Sequence, residues 1–303
     1  MTMATGGEAT GMRGQGISVV ALGTAQDGGI PQAGCQCPNC RRARRSWRHA
    51  ARLPACLGLI DSGAGRAFLV DATPGLPEQL ERLGGPGGGL AGLAGVLLTH
   101  AHIGHYTGLV HFGREVMGTR DLPVWCTPAM ADFLRENAPW SQLVHLGNVD
   151  LRAEAVPGKP FSLTEHLALT AFPVPHRNEF ADTVGYRIQG PTRHLLYVPD
   201  IDRWELWDRG PAAEVSQVDL AILDGTFYSA DELRSRGRDP REVPHPPIVE
   251  TMDRLQAAVE SGAQVFFTHL NHTNPVLRRG SRERAAVEGR GFHVIEEGAV
   301  FIL

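Results

Sequence analysis

Three histidines fall within six residues in His100-Ala101-His102-Ile103-Gly104-His105, directly after the apolar run Val96-Leu97-Leu98. Neutral imidazole is the commonest metal ligand among side chains, and a strand end followed by a turn can aim several rings into one cavity. A second concentration of donors is Cys35-Gln36-Cys37-Pro38-Asn39-Cys40, with three thiols on a segment short enough to wrap one ion. Gly34 and Pro38 make that segment a loop, and a tetrahedral zinc site would draw its fourth ligand from elsewhere in the chain. Asp71, His176, Asp200, Asp224 and His269 each follow a largely apolar run. Any one of these alone would be read as a core or capping group. His and Asp recurring at strand ends point instead to one shared site, because active sites of layered α/β proteins collect at the carboxyl ends of strands.

The elements that must position these residues alternate between strands and helices. Short apolar or alternating runs predict strands at 17–22, 56–61, 66–71, 95–98, 122–126, 167–174, 184–188, 194–198, 218–223, 264–267, 292–295 and 299–303. Helices are expected at 75–83, from 106 through 117, at 128–137 behind Thr127 as N-cap, at 248–261 and at 281–288. Residues 84–95 read as a flexible glycine-rich connection. Residues 139–165 resist assignment, and Trp140 within them is either a lid or a core residue. The loop Gly23-Thr24-Ala25-Gln26-Asp27-Gly28-Gly29-Ile30-Pro31 is loaded with residues that permit unusual backbone angles. Arg41, Arg42, Arg44, Arg45 and Arg48 read as a solvated helix face rather than an anion-steering patch.

A chain of 303 residues with 42% apolar and 20% charged residues can bury a large core. Its net charge of −4 gives no argument for nucleic acid or membrane partners, and no apolar run approaches a membrane span. Residues 1–16 are expected to be a disordered extension rather than a signal peptide, and 17–303 a single domain. The chain is therefore expected in the cytoplasm, and five cysteines, three of them clustered, fit metal binding better than a disulfide framework. A homodimer is left open.

Asp71, His100-x-His102-x-x-His105, His176, Asp200 and His269 resemble, in type and order, the ligand set of the metallo-β-lactamase superfamily. The resemblance covers nearly the whole chain from Ile17 onward and implies a four-layer αββα sandwich with one or two metals at the sheet edge. More narrowly, G-T-A-Q-D-G-G-I-P-Q-A-G-C-Q-C-P-N-C, F-F-T-H-L-N-H-T-N-P-V-L and S-R-E-R-A-A-V-E-G-R-G-F are similar to the pyrroloquinoline quinone (PQQ) biosynthesis protein B family. The cyclic phosphodiesterases of phosphonate breakdown are the next resemblance, sharing the cysteine cluster. Carried over by position, one metal would sit on His100, His102 and His176, with Asp200 able to bridge to a second on His105 and His269. The superfamily's usual H-x-H-x-D-H has an Asp where this chain has Gly104. A strong first site and a weak or empty second one are therefore expected, unless another carboxylate such as Asp71 substitutes. The phosphodiesterase-like spacing implies His272 rather than His269 as fourth ligand to a structural zinc on Cys35, Cys37 and Cys40.

These residues together imply a metal-dependent hydrolase, with Zn, Mn or Fe at the active site. Metal-bound hydroxide would attack a phosphodiester or ester-type bond of a small anionic molecule. Asp71 would orient His102 or the water, and His245, near Asp224, would be the general acid. Arg177 could offer charge to the substrate. Three histidines and a carboxylate also suit a mononuclear Fe(II) oxygenase acting on a tyrosine-derived precursor of PQQ. A non-catalytic precursor carrier is the third reading.

Overall fold

The computed structural model describes residues 16–84, 92–234, 237, 239 and 242–303. Of the N-terminal extension expected over 1–16 and the glycine-rich connection expected over 84–95, residues 1–15 and 85–91 lie outside the described residues. One sheet contains β1 (Ile17–Gly23), β2 (Cys56–Asp61), β3 (Arg66–Val70), β4 (Leu93–Leu97), β5 (Leu122–Trp125) and β6 (Val149–Arg152) in that order. The second runs through β7 (Pro160–Ser162), β8 (Ala168–Pro173), β9 (Val184–Gln189), β10 (His194–Val198), β11 (Leu220–Asp224), β12 (Gln264–Thr268) and β13 (His293–Val294). The last strand, β14 (Val300–Ile302), returns to the first sheet and pairs antiparallel with β1.

Both faces of each sheet are buried, which is why the strands read as near-continuous apolar runs. Phe68 and Val70 of β3 point into a central core shared by the two sheets, while Leu69 between them faces the helical side. In β10, Leu195 and Tyr197 enter the same central core, and Leu196 and Val198 face the opposite layer. Leu76, Leu80, Met130 and Leu134 cover the first sheet from helices Leu76–Leu83 and Pro128–Glu136. Ile248, Met252 and Leu255 cover the second from helix Ile248–Glu260. The result is the expected αββα layering.

Strand direction gathers the chemistry at one edge. β3 and β4 are parallel, as are β10, β11 and β12. β9 is antiparallel to both β8 and β10, so those two run the same way. The chain therefore leaves β3 at Asp71, β4 just before His100, β8 just before His176, β10 just before Asp200 and β12 at His269, while β11 ends on Asp224 itself.

Two expectations need correction. The helix from 106 through 117 is instead a short turn of helix, Ile103–Tyr106, followed by a 3-10 segment, Thr107–Phe112. The cause is a close backbone approach at Gly108, whose N–H donates to Ala72 O at 2.9 Å. A Cβ there would stand 2.1 Å from Thr73 O, so only glycine permits it. The unassigned stretch 139–165 contains helix Trp140–His145 and the whole of β6 and β7. Trp140 packs against the helical side of the first sheet, 4.7 Å from the Tyr106 ring, and is a core residue rather than a lid.

Candidate metal centre

Four imidazoles are held in the same way, by a partner on Nδ1 that turns Nε2 inward. Thr99 Oγ1 lies 2.9 Å from His100 Nδ1, Asp71 Oδ2 2.7 Å from His105 Nδ1, Asp202 Oδ1 2.7 Å from His176 Nδ1, and Thr226 Oγ1 2.9 Å from His269 Nδ1. A carboxylate only accepts, so Asp71 and Asp202 keep the proton on Nδ1 and leave Nε2 as a lone-pair donor. His102 is reversed: its Nε2 meets Glu179 Oε2 at 3.0 Å, and its Nδ1 faces His176 Nε2 at 2.9 Å. The Nε2 atoms of His100, His105 and His269 are buried without a hydrogen-bond partner. Buried polar atoms without partners are rare in native proteins and call for an ion or water.

The inward nitrogens converge on one oxygen. Asp200 Oδ2 lies 3.2 Å from His176 Nε2, 3.4 Å from His100, 3.7 Å from His269 and 4.0 Å from His105. His100, His102, His176 and Asp200 form one group that could hold a metal, Asp27, His105 and His269 a second, and Asp200, Asp224, His245 and His269 a third. Burial disfavours a charge on Asp200, yet His176, His269 and His245 hold its carboxyl well below the usual range. Burial likewise opposes charge on His176 and His105, but Asp200 raises the first and Asp71 the second, each to about 10. Protons thus supply the positive charge these carboxylates demand, the same demand a cation would meet. Nitrogen and carboxylate donors with unpartnered lone pairs fit a divalent transition metal.

Asp71 does not orient His102, and it is not the carboxylate that compensates for Gly104. It lies behind His105 and accepts from the backbone N–H and hydroxyl of Thr99. The acid that reaches the second group is Asp27, which the sequence reading passed over as part of a glycine-rich loop. Its Oδ1 stands 3.4 Å from His105 Nε2 and 3.8 Å from His269 Nε2. A Cβ at Gly104 would stand 1.9 Å from that oxygen and 2.7 Å from Asp27 Cα. Gly104→Ala is accordingly expected to lower stability by about 1–3 kcal/mol, the usual range for overpacking, measured by chemical denaturation. Full stability in that variant would mean Asp27 moves aside freely.

Residues 35–40 and His272 come together as well. Cys35 Sγ and Cys37 Sγ lie 3.3 and 3.5 Å from His272 Nδ1, and Cys40 completes a four-donor group that could hold a metal. His269, facing the other centre, takes no part in it. Backbone N–H groups of Gln32, Cys37 and Cys40 donate to the sulfurs of Cys40, Cys35 and Cys37, the support thiolates need. Burial pushes the Cys40 thiol up to about 12, so sulfur charge here calls for a cation. Arg41, Arg42, Arg44 and Arg45 are exposed, and Arg44 ties down the loop through Gln32 O and Cys35 O.

His245 Nδ1 meets Asp224 Oδ2 at 2.7 Å and Asp200 Oδ1 at 3.3 Å. Burial works against its charge, but Asp224 and Asp200 raise its pKa above the ordinary value. His245 and Asp202 line a cavity of about 320 Å³. Arg177 is exposed and faces Glu179 at 3.4 Å. Thr99, Asp202, Thr226 and Glu179 were not singled out from sequence. Asp202, two residues beyond Asp200, and Thr226, in Leu223-Asp224-Gly225-Thr226, were the legible signals.

Comparison with known proteins agrees with this architecture. Residues 66–270 match the family model described as beta-lactamase superfamily domain. The coenzyme PQQ synthesis protein B of Methylobacterium radiotolerans is 32% identical over 93% of this chain and 98% of its own length. The protein of that name from Cupriavidus necator is 30% identical over the same shares. Zn(2+)-bound PqqB from Methylobacterium extorquens superposes with a TM-score of 0.77 at 25% identity, covering 94% of this chain and all of that one. A diphosphatase from the PhnP family shares the fold, with a TM-score of 0.66 at 19% identity over 95% of this chain and 97% of that one.

Proposed function

The chain belongs to the beta-lactamase superfamily and, within it, to the family of coenzyme PQQ synthesis protein B, and on that premise we propose that it is a metal-dependent hydrolase. Its substrate would be a small anionic molecule with a phosphodiester or ester-type bond. The observation that carries the reading is the convergence of the buried, unpartnered Nε2 atoms of His100, His105 and His269 on the single oxygen Asp200 Oδ2. His100, His102, His176 and Asp200 would hold one ion, with Asp200 reaching toward His105 and His269 for a second. A bound ion would supply Lewis acidity and acidify water at neutral pH.

The remaining chemistry belongs to side chains. Asp71, Asp202, Thr99 and Thr226 fix the orientation of the His105, His176, His100 and His269 rings, with Nε2 directed inward. Asp224 holds His245 by Nδ1 and raises its pKa against the effect of burial, so that Nε2–H would be the proton donor to the leaving group.

His245→Ala is expected to slow hydrolysis of an alkyl phosphodiester by about 10²–10⁴-fold, the range for a general acid. It should barely affect a p-nitrophenyl ester, whose leaving group needs no proton. Equal losses on both substrates, read as kcat, would remove His245 from that role. The reading as a whole is tested by metal analysis joined to turnover of bis-p-nitrophenyl phosphate and cyclic phosphates. An iron-loaded protein that consumes oxygen and cleaves none of these would overturn it in favour of an Fe(II) oxygenase acting on a tyrosine-derived precursor.

A further inference from the structure

The residue spacing that normally places an acid on the second metal is broken at Gly104, yet the space beside His105 holds a carboxylate. We propose that Asp27, delivered from the loop after β1, takes the ligand position that Gly104 cannot fill and completes a second metal site with His105, His269 and the shared Asp200. The inference deepens the hydrolase reading and rests on it.

Four observations carry it. The Asp27 carboxylate occupies the volume that a side chain at 104 would enter, its Oδ1 lying 1.9 Å from an ideal Cβ built there. That same oxygen is buried, has no hydrogen-bond partner, and faces His105 Nε2 at 3.4 Å and His269 Nε2 at 3.8 Å. Both imidazoles are 1% exposed, and their Nε2 atoms also lack hydrogen-bond partners. The three donor atoms lie within 4.8 Å of one another, close enough for one ion.

The loop is built to hold the acid there. Gln26 N donates to Leu270 O at 3.0 Å and Leu270 N to Thr24 O at 2.9 Å, zipping the segment before Asp27 to the segment after His269. Gly29 N closes a tight turn on Gln26 O at 2.8 Å, and Gly29, leaving that turn, takes a left-handed φ of 64°, which glycine adopts without strain. His269 itself adopts a left-handed φ of 56°, an uncommon conformation for a side-chain-bearing residue that aims its ring at the same point. The acid has moved from the histidine motif to a different loop while reaching the same pair of rings. A substitution at 104 is therefore coupled to position 27, and neither residue can be understood alone.

The test is metal binding, not turnover. Metal-free protein and the variants Asp27→Asn and Asp27→Ala would be titrated with Zn²⁺ or Mn²⁺, with bound metal counted by mass spectrometry and affinity read by calorimetry. Asp27→Asn should keep the fold and the ion on the cysteine cluster, hold the ion on His100, His102 and His176 unchanged, and bind the second about 100-fold or more weakly. His105→Ala, removing a partner on the same ion, should show the same selective loss, and His100→Ala should not. Melting curves separate a lost ligand from a lost fold. A second ion bound as tightly by Asp27→Asn as by the parent would overturn the proposal. So would a parent protein whose histidine cluster takes a single ion at every metal concentration, an outcome that leaves the hydrolase reading standing. Absence of any ion from the histidine cluster would overturn both.

Discussion

Asp200→Ala should strip metal from both positions and reduce turnover by about 10³-fold or more on every substrate, whatever its leaving group. The reason is geometric: one carboxylate oxygen lies within 4.0 Å of the Nε2 atoms of His100, His105, His176 and His269. An ion in either group therefore shares this oxygen, and its charge offsets the mutual repulsion of four converging imidazoles. Metal-derived stabilisation of a developing charge is worth several kcal/mol, and about 4 kcal/mol corresponds to a thousandfold in rate. Asp224→Asn makes the informative comparison. It should leave metal content intact, because Asp224 bonds His245 at 2.7 Å and the backbone N–H groups of Ile201 and Thr226. Its losses should fall on substrates with poor leaving groups. Metal counted per chain and kcat on matched substrates separate the two variants. Full metal content with near-parental turnover in Asp200→Ala would remove this oxygen from the centre of the site.

The strand-end pattern was legible because both faces of each sheet are buried. Apolar runs such as Phe68-Leu69-Val70 and Leu220-Ala221-Ile222-Leu223 stop where the chain meets the site, so the first polar residue after each run marks the edge. Position along one strand could be read from sequence, and direction across the sheet followed from the layering. Contacts between loops were not legible in the same way. Asp27 sits in a segment whose glycines signal backbone freedom, and its partner His269 is far away in sequence, so only the zipper of Thr24, Gln26 and Leu270 reveals the pairing. The supports on Nδ1 were missed for a related reason: Thr99, Thr226 and Asp202 are neighbours of conspicuous residues and look like ordinary turn residues. The helix expected through Met117 failed because periodicity cannot report that Gly108 lies against the backbone of Ala72 and Thr73.

Asp71 shows how one such contact changes a role. From sequence it would orient His102 or the water, or stand in for the acid missing at Gly104. In the structure it has a left-handed φ of 71° and is fully buried, with its oxygens spent on Thr99 and on His105 Nδ1. An acid so engaged fixes a ring and cannot also reach an ion. The compensation for Gly104 had to come from outside the strand-end set.

Removing the ion from the cysteine cluster should cost both stability and the second active-site ion. Cys35 and His272 are 237 residues apart, and the cluster joins the loop after β1 to the loop after β12. Asn39 reinforces the joint, its Nδ2 donating to His272 O at 3.1 Å and Asn274 O at 3.0 Å. These are the two loops that carry Asp27 and His269, whereas His100, His102 and His176 follow β4 and β8. Zinc that binds only the folded chain stabilises it by about 4 kcal/mol when free metal stands a thousandfold above its dissociation constant. At roughly 1.6 °C per kcal/mol for a chain of this length, Cys37→Ser should melt about 6 °C below the parent. The affinity for the ion on His105 and His269 should fall with it, while the ion on His100, His102 and His176 is held as before. Calorimetric titration of the Cys37→Ser protein, run below its melting range, reads both. Equal weakening of the two active-site ions would mean the cluster supports the fold as a whole and does not specifically position Asp27 against His269.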